Sequence, residues 1–184
     1  MTPPQLSISQ LVRVVEHFDT FGTLLDFMLV NKKCWQVFVA VKTNPSFTMH
    51  FDRAIPLALV IWTRDLFPNL TTIVMPHSVF PDIFTFLSAP IQRVVIKEPI
   101  AYSVLTRWRN DAIPLGQISR CTIESHQERE AIDLSDLTGL EHCTVYIWRQ
   151  VRKVILPPQQ LDFLRISVAT TMSLNFIASL PKHR

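Results

Sequence analysis

The residues that could carry chemistry are three cysteines, a histidine set among glutamates, two close aspartates and two tryptophans beside arginines. Cys34, Cys121 and Cys143 are odd in number and lack a C-x-x-C spacing, so they read as free thiols of a reducing compartment. Cys34 stands beside Trp35 in a stretch of helical pattern, where a packed, inert thiol is expected rather than an activated nucleophile. His126 lies among Glu124, Glu128 and Glu130. A metal or acid–base site would draw on these types, yet no second histidine is near, and an exposed polar loop is expected. Asp133 and Asp136 could work together only if both faced one cavity, and nothing in their surroundings places them so. Trp108 between Arg107 and Arg109, and Trp148 before Arg149, could stack on a base or a partner. Surface aromatic packing with solvated arginines is the expectation for both.

Glycine narrows the chemistry further. There are only Gly22, Gly116 and Gly139, none near another, and a phosphate-cradling loop needs clustered glycines to let backbone N–H groups approach an anion. No H-E-x-x-H, G-x-S-x-G or Walker-type run occurs. The expectation is a protein without catalytic residues, metal or cofactor, an enzyme with an unrecognised site being the alternative.

The chain has 184 residues, 48% hydrophobic and 18% charged, so a sizeable core is within reach and disorder is not expected. Its net charge of +3 is carried by lysines and arginines that come in pairs at most, such as Lys32-Lys33 and Arg152-Lys153. Nucleic-acid binders cluster such residues on one face or in one run, so no nucleic acid is expected. The opening Met1-Thr2-Pro3-Pro4-Gln5 has neither the basic start nor the apolar stretch of a signal peptide. The longest apolar run, Ile55 to Trp62, falls far short of the ~20 residues of a membrane helix. A cytoplasmic protein follows as the expectation, with the nucleus also open.

These residues need elements to position them. Ile8, Leu11, Val12, Val15 and Phe18 recur at spacings of three and four, which puts them on one face of a helix, with Ser7 or Ser9 as its N-cap. Thr20 or Thr23 could start a second helix through Leu24, Leu25, Met28 and Leu29. Asn31 reads as the cap of a third, carrying Cys34, Trp35, Phe38 and Val39 and ending at Asn44-Pro45. Three short amphipathic helices cannot bury their apolar faces singly and must pack together. Leu11 through Phe47, with its Leu24-Leu25-Asp26 step, Val30-Asn31-Lys32-Lys33-Cys34-Trp35 stretch and closing Asn44-Pro45-Ser46-Phe47, resembles an F-box-like segment. It opens on Pro3-Pro4-Gln5-Leu6 rather than on a Leu-Pro pair followed by an acidic residue. The resemblance implies docking of a cullin-ligase linker protein through Leu11, Val12, Leu24, Leu25 and Trp35. A plain cap on a repeat array is the alternative role for the three helices.

Beyond residue 65 the sequence aligns to itself. An apolar residue, two spacers, an apolar residue, one spacer and another apolar residue occur at Leu70–Met75, Ile91–Ile96, Ile118–Ile123, Leu140–Val145 and Leu161–Ile166. Every paired spacer except Phe163 is polar or charged. The starts Leu70, Ile91, Ile118, Leu140 and Leu161 are nearly evenly placed, with one longer interval between Ile91 and Ile118. An L-x-x-L-x-L core at a period of roughly 22 residues is the signature of a strand-lined solenoid. Alternation along each strand sends the last two apolar residues inward, including Cys121 and Cys143 in the same slot. Val74, Val95, Thr122, Thr144 and Arg165 then point outward, with Lys97, Glu124, Tyr146 and Ser167 two positions on. Between strands, Phe80 to Leu87 must turn the chain back, with Asp82 able to cap a short helical turn. Tyr102 to Arg109 reads as a helical insertion. Val151 to Pro158 reads as an extra strand-like piece, its Leu156-Pro157 echoed by Leu180-Pro181, as if a flattened coil had strands on both walls. The asparagine that usually bonds the turn backbone of such repeats is missing from its place.

Through Asn44-Pro45, Leu66-Phe67-Pro68-Asn69-Leu70 and Val154-Ile155-Leu156-Pro157-Pro158-Gln159-Gln160-Leu161, the chain resembles leucine-rich-repeat proteins abundant in parasitic amoebae, related to bacterial-surface-antigen-type and FNIP-type repeats. The expected fold is α/β, a short leucine-rich-repeat solenoid over residues 66–184 behind a three-helix F-box-like cap over 1–47. The resemblance implies an interaction scaffold whose sheet binds a protein partner, and with the helical segment an adaptor of a cullin ubiquitin ligase. A truncated family member is the other reading.

Overall fold

The computed structural model describes residues 6–18, 20–45, 64–83, 91–169 and 177–179. The chain is mixed α/β, with several helices and parallel strands, and divides into two compact units, Met1–Gln92 and Arg93–Arg184. The apolar run Ile55 to Trp62, the closing Ser46-Phe47, the stretch from Phe84 to Leu87 and the Leu180-Pro181 echo lie outside the described residues.

The first unit opens on three short helices, α1 Ile8–Glu16, α2 Phe21–Val30 and α3 Lys32–Ala40. Each starts where a side-chain oxygen can take up backbone N–H groups that have no intrahelical partner. Ser7 accepts from the Gln10 N–H while the Gln10 side chain accepts from the Ser7 N–H, a reciprocal capping box. Thr20 accepts from Thr23, and Asn31 from both Lys33 and Cys34. The inward residues Leu11, Val15, Leu24, Cys34, Val37 and Phe38 are buried, and Phe38 stacks on Phe67 with ring centroids 5.1 Å apart.

After α3 the chain turns into extended backbone beside β1 (Thr72–Met75), with Thr43 bridging Thr72 in parallel. The Asn44 side chain then takes the place of a further strand residue. Its amide donates to the Val74 carbonyl at 2.9 Å and its oxygen accepts from the Val74 N–H at 2.5 Å. Asn44 is itself buried, so these bonds offset the cost of desolvating its amide. A 3-10 turn at His77–Val79 runs into a helical turn at Phe80–Ile83. Asp82 falls inside that turn, and its side chain lies outside what the structure describes.

In the second unit the strands alternate between two parallel sheets. β3 (Ile118–Ser125), β5 (His142–Ile147) and β7 (Phe163–Val168) are neighbours in one sheet, with β2 (Arg93–Ala101) beside β3. β4 (Arg129–Asp133), β6 (Val151–Ile155) and β8 (Ile177–Ser179) form the other. The segment from Val151 is thus a strand as its sequence suggests, and it has a neighbour in β4 that the apolar pattern does not reveal. The register sets Arg120 opposite His142 and His142 opposite Phe163. Those offsets are the same as the ones that separate Ile118, Leu140 and Leu161 along the chain.

The core follows from strand alternation. Ile123, Val145, Cys121 and Cys143 from the first sheet and Ile132 and Val154 from the second are all buried. Leu134, Leu137 and Leu140 fill the connecting turn, each 0% exposed. Burying such a side chain contributes roughly 1.5–3 kcal/mol relative to leaving it in water. Gln159 ties that turn, its side-chain amide donating to the carbonyls of Leu137 and Leu140. Gly116 and Gly139 allow two turns to touch, since a Cβ on Gly139 would lie 2.1 Å from the Gly116 carbonyl oxygen.

The longer interval, from Ile91 to Ile118, is where sequence and structure part. Aligning Ile91 with Ile118 would set Val95 against Thr122. Instead Val95 pairs with Arg120 and Pro99 with Thr122, after two register shifts. Pro99 has no N–H to give to a ladder, and the strand absorbs the extra residues as an irregularity before continuing to Ala101. The helix α4 (Tyr102–Asn110) follows at once, where the sequence places an insertion.

Candidate functional site

Helix α4 holds the residues whose types most suggest chemistry, and the structure turns them to support. Tyr102, Leu105 and Trp108 are buried at helical spacing. Trp108 is only 2% exposed, which overturns the reading of it as surface packing. Arg107 is exposed, as expected, whereas Arg109 is half-buried and engaged. Its Nε donates to Asp136 Oδ2 at 2.7 Å, and its Nη2 donates to Asp136 Oδ1 at 2.5 Å and to the Asp133 carbonyl at 2.9 Å. The hydrogen-bonded Asp136 carboxylate holds the guanidinium pKa above its usual value, against the opposing effect of burial. The Tyr102 hydroxyl accepts from the Asp133 N–H at 2.8 Å, and the Arg129 guanidinium lies 5.0 Å from the Tyr102 ring centroid. Asp133 is partly desolvated, but the Ser135 N–H and hydroxyl and the nearby Arg109 and Lys153 bring its carboxyl below the usual range. The two aspartates therefore have separate tasks, one clamping Arg109 and one closing a turn on Ser135. This network fastens α4 to the turn after β4.

The cysteines are packed. Cys121 and Cys143 face each other in register and are buried, as is Cys34. The Cys143 thiol as hydrogen-bond partner, together with burial, raises the Cys121 pKa well above the ordinary thiol value. That is the wrong direction for a nucleophile. Among the described residues, no group of three or more His, Cys, Asp or Glu side chains could hold a metal ion. No helix among them is long and apolar enough to cross a membrane.

The outer face of the sheet β3-β5-β7 is built differently. Because side chains alternate, it carries rows that run across the strands. The first is Arg120, His142 and Phe163; the second Thr122, Thr144 and Arg165; the third Glu124, Tyr146 and Ser167. Beyond them His126 and Trp148 stack with centroids 5.8 Å apart. In the first row His142 stacks on Phe163 at 6.2 Å. Tall side chains in the first row and short threonines in the second leave a shallow groove of about 340 Å³ between them, lined by Arg120, Thr122, His142, Thr144 and Phe163 and by Cys121 and Cys143.

Most of the outward positions read from sequence thus lie on one surface. Thr122, Glu124, Thr144, Tyr146 and Ser167 are half-buried and Arg165 is exposed. Val95 is half-buried on β2, and Lys97 is exposed in the register shift between Val95 and Pro99. Val74 belongs to the first unit, with its backbone held by Asn44. In the helical segment Leu11 and Leu24 are core residues, Val12 is half-buried, and Leu25 and Trp35 are exposed. The repeat pattern alone misses the first row, because Arg120, His142 and Phe163 occupy its spacer positions. Their signal lies in the alternation: each stands two residues before an outward position and so shares its face. Phe163, the apolar exception among the spacers, is 48% exposed.

Comparison with protein-family models, curated proteins and solved structures finds no match.

Proposed function

We propose that the chain is a protein-interaction module, a short two-walled leucine-rich-repeat solenoid that offers its β3-β5-β7 face to a partner protein. The observation that carries this reading is the face itself. Three strands in continuous register line up aromatic and cationic side chains that the fold leaves in water, Phe163 and Arg165 among them, with the exposed Trp148 just past β5. Aromatic and arginine side chains are the types that dominate protein interfaces. The groups best suited to catalysis serve structure instead: Arg109 and Asp136 clamp a helix, and the cysteines are buried as thiols. The test is affinity capture from native cells by the full chain and by a Phe163→Ala, Trp148→Ala variant that keeps its circular dichroism. Loss of specific partners from the variant supports the reading. An unchanged set of partners moves the interface off this face.

The helical segment supports a second contact, with the linker protein of a cullin ubiquitin ligase. Leu29, Val30 and Trp35 are 84%, 67% and 56% exposed, an apolar surface in addition to what the three helices bury. Exposed apolar side chains in such numbers mark interaction sites. Binding of purified linker protein, lost on Leu29→Glu or Trp35→Glu, would establish the adaptor role. No binding to the unsubstituted chain would remove it.

A further inference from the structure

Arg120 lines the groove on the sheet face, and Arg165 stands beside it on β7. Two anions on or next to the same strands have partners: Glu141 meets Arg93 at 2.8 Å, and Glu124 lies 3.3 Å from His126. These cations do not. Arg120 and Arg165 are exposed, and neither has an anionic partner among the described residues; the same holds for Lys97 in the adjoining register shift. Arg120 and Arg165 stand two strands and one row apart, roughly 12 Å by the spacings of sheet neighbours and of alternate residues. Between them lie Thr144 hydroxyl and methyl groups and the stacked His142 and Phe163 rings.

From this arrangement, and resting on the interaction reading above, we propose that the groove binds an extended acidic segment of a partner protein. Its pattern would be a carboxylate, an apolar residue two positions on, and a second carboxylate two positions beyond that. The spacing argues for separate carboxylates. A phosphate gathers two charges at one point and is held by converging cations, whereas these cations start from strands that are not neighbours. In an extended chain, side chains on one face recur about every 6.7 Å, so carboxylates four residues apart span roughly 13 Å, within reach of two arginine side chains. The apolar residue between them would rest on Phe163 and the Thr144 methyl.

Fluorescence anisotropy of the full chain with a labelled peptide of repeating Glu-Ser-Leu-Ser tests this. Saturable binding is expected, weakening several-fold between about 50 and about 300 mM salt as charges are screened. Arg120→Gln and Arg165→Gln should each weaken it roughly tenfold, the scale of one charge-assisted hydrogen bond. Arg152→Gln, on β6 of the other sheet, should leave it unchanged. Arg120 and Arg165 are both exposed, so their loss should not alter the circular dichroism. No saturable binding, or equal binding of the Gln-Ser-Leu-Ser peptide, overturns the proposal. Tighter binding of a phosphoserine peptide or of oligothymidine overturns the assignment to carboxylates. If the acidic peptide fails while Phe163→Ala, Trp148→Ala still loses its cellular partners, the acidic segment is wrong and the interaction face stands.

Discussion

The helical segment and the strand array solve the same problem in opposite ways. α1, α2 and α3 have nine or ten residues each, below the length at which a helix holds itself in water. They depend on end caps and on a small shared core, and they leave Leu29, Val30, Trp35 and Val39 exposed. The array relies little on local devices. Its strands are held by neighbours distant in sequence, and its inward positions on β3 and β5 are 4% exposed or less. Damage in the helical segment should therefore remain local, whereas a fault in one turn of the array passes to the next. Fluorescence of Trp35 for the first unit and of Trp108 and Trp148 for the second, each isolated by Trp→Phe replacement of the others, can follow the two separately.

The largest effect is expected where two turns of the array touch. Gly139 has no positive φ, so its requirement is space rather than backbone freedom. In Gly139→Ala the new methyl meets the Gly116 carbonyl oxygen at 2.1 Å, and one turn must move. A loss of roughly 3 kcal/mol or more is expected, at the upper end of overpacking effects. Denaturant unfolding should show it in the Trp108 and Trp148 signals. A shift confined to Trp35 would contradict the contrast between the two regions. The same change at Gly22, whose Cβ would meet only Thr20 Oγ1 at 3.8 Å, should cost nothing measurable or stabilise α2 slightly.

Next in size is the clamp on α4. Arg109→Met removes a two-pronged bond to Asp136 and a bond to the Asp133 carbonyl while keeping most of the apolar stem. About 2 kcal/mol should be lost, since Asp136 and a partly buried carbonyl lose a charged donor together. Asp136→Asn should cost less, and the double variant less than the sum of the two, if the pair acts as one unit. Additive losses would mean that the two residues act through different neighbours.

The strands β3, β5 and β7 are legible in sequence because each residue pairs with the one that the apolar spacing aligns with it, so spacing and register agree there. The helical caps are legible for a local reason: Ser7, Thr20 and Asn31 act on N–H groups two or three residues ahead. What escapes the sequence depends on distant or weakly patterned partners. β4 carries Arg129, Glu130 and Asp133 around a single buried Ile132, too little alternation to read as a strand. The shifts in β2 fall between Val94 and Pro99, although the apolar spacing of this stretch suggests a simpler alignment. Arg109 finds Asp136 in a later turn of the chain, and no spacing rule joins them. Of the candidate face, the second and third rows can be read directly, while the first is hidden in spacer positions that the repeat template treats as filler.

A smaller effect is expected at the head of α3. Asn31 accepts from the N–H groups of Lys33 and Cys34 at 2.9 and 3.0 Å. Asn31→Ala should cost about 1 kcal/mol, and Asn31→Asp should retain the stability, since a carboxylate also accepts there and suits the positive end of the helix. Trp35, four residues on, should report the loss before the array tryptophans do. Simultaneous loss of all three signals would show that the helices are no more local in their response than the strands.

The smallest effect concerns acid. Asp133 has a carboxyl pKa lowered in the folded chain by the Ser135 hydrogen bonds and by Arg109 and Lys153, after the opposing contribution of desolvation. A depressed folded value means that the unfolded chain binds the proton more readily. The ionised carboxylate therefore contributes stability above the unfolded value of about 3.9, and the contribution disappears as pH falls through the lower folded value. Asp133→Asn should thus be slightly less stable than the parent at neutral pH and should match it more closely near the acid limit, narrowing the gap between the two unfolding curves. Ser135→Ala should reduce the same difference by removing one of the bonds that lower the pKa. Both changes should register in the array tryptophans and leave Trp35 unmoved. A gap between parent and Asp133→Asn that stays constant down to the acid limit would mean that Asp133 stabilises its turn by shape and hydrogen bonding alone, with its charge playing no part.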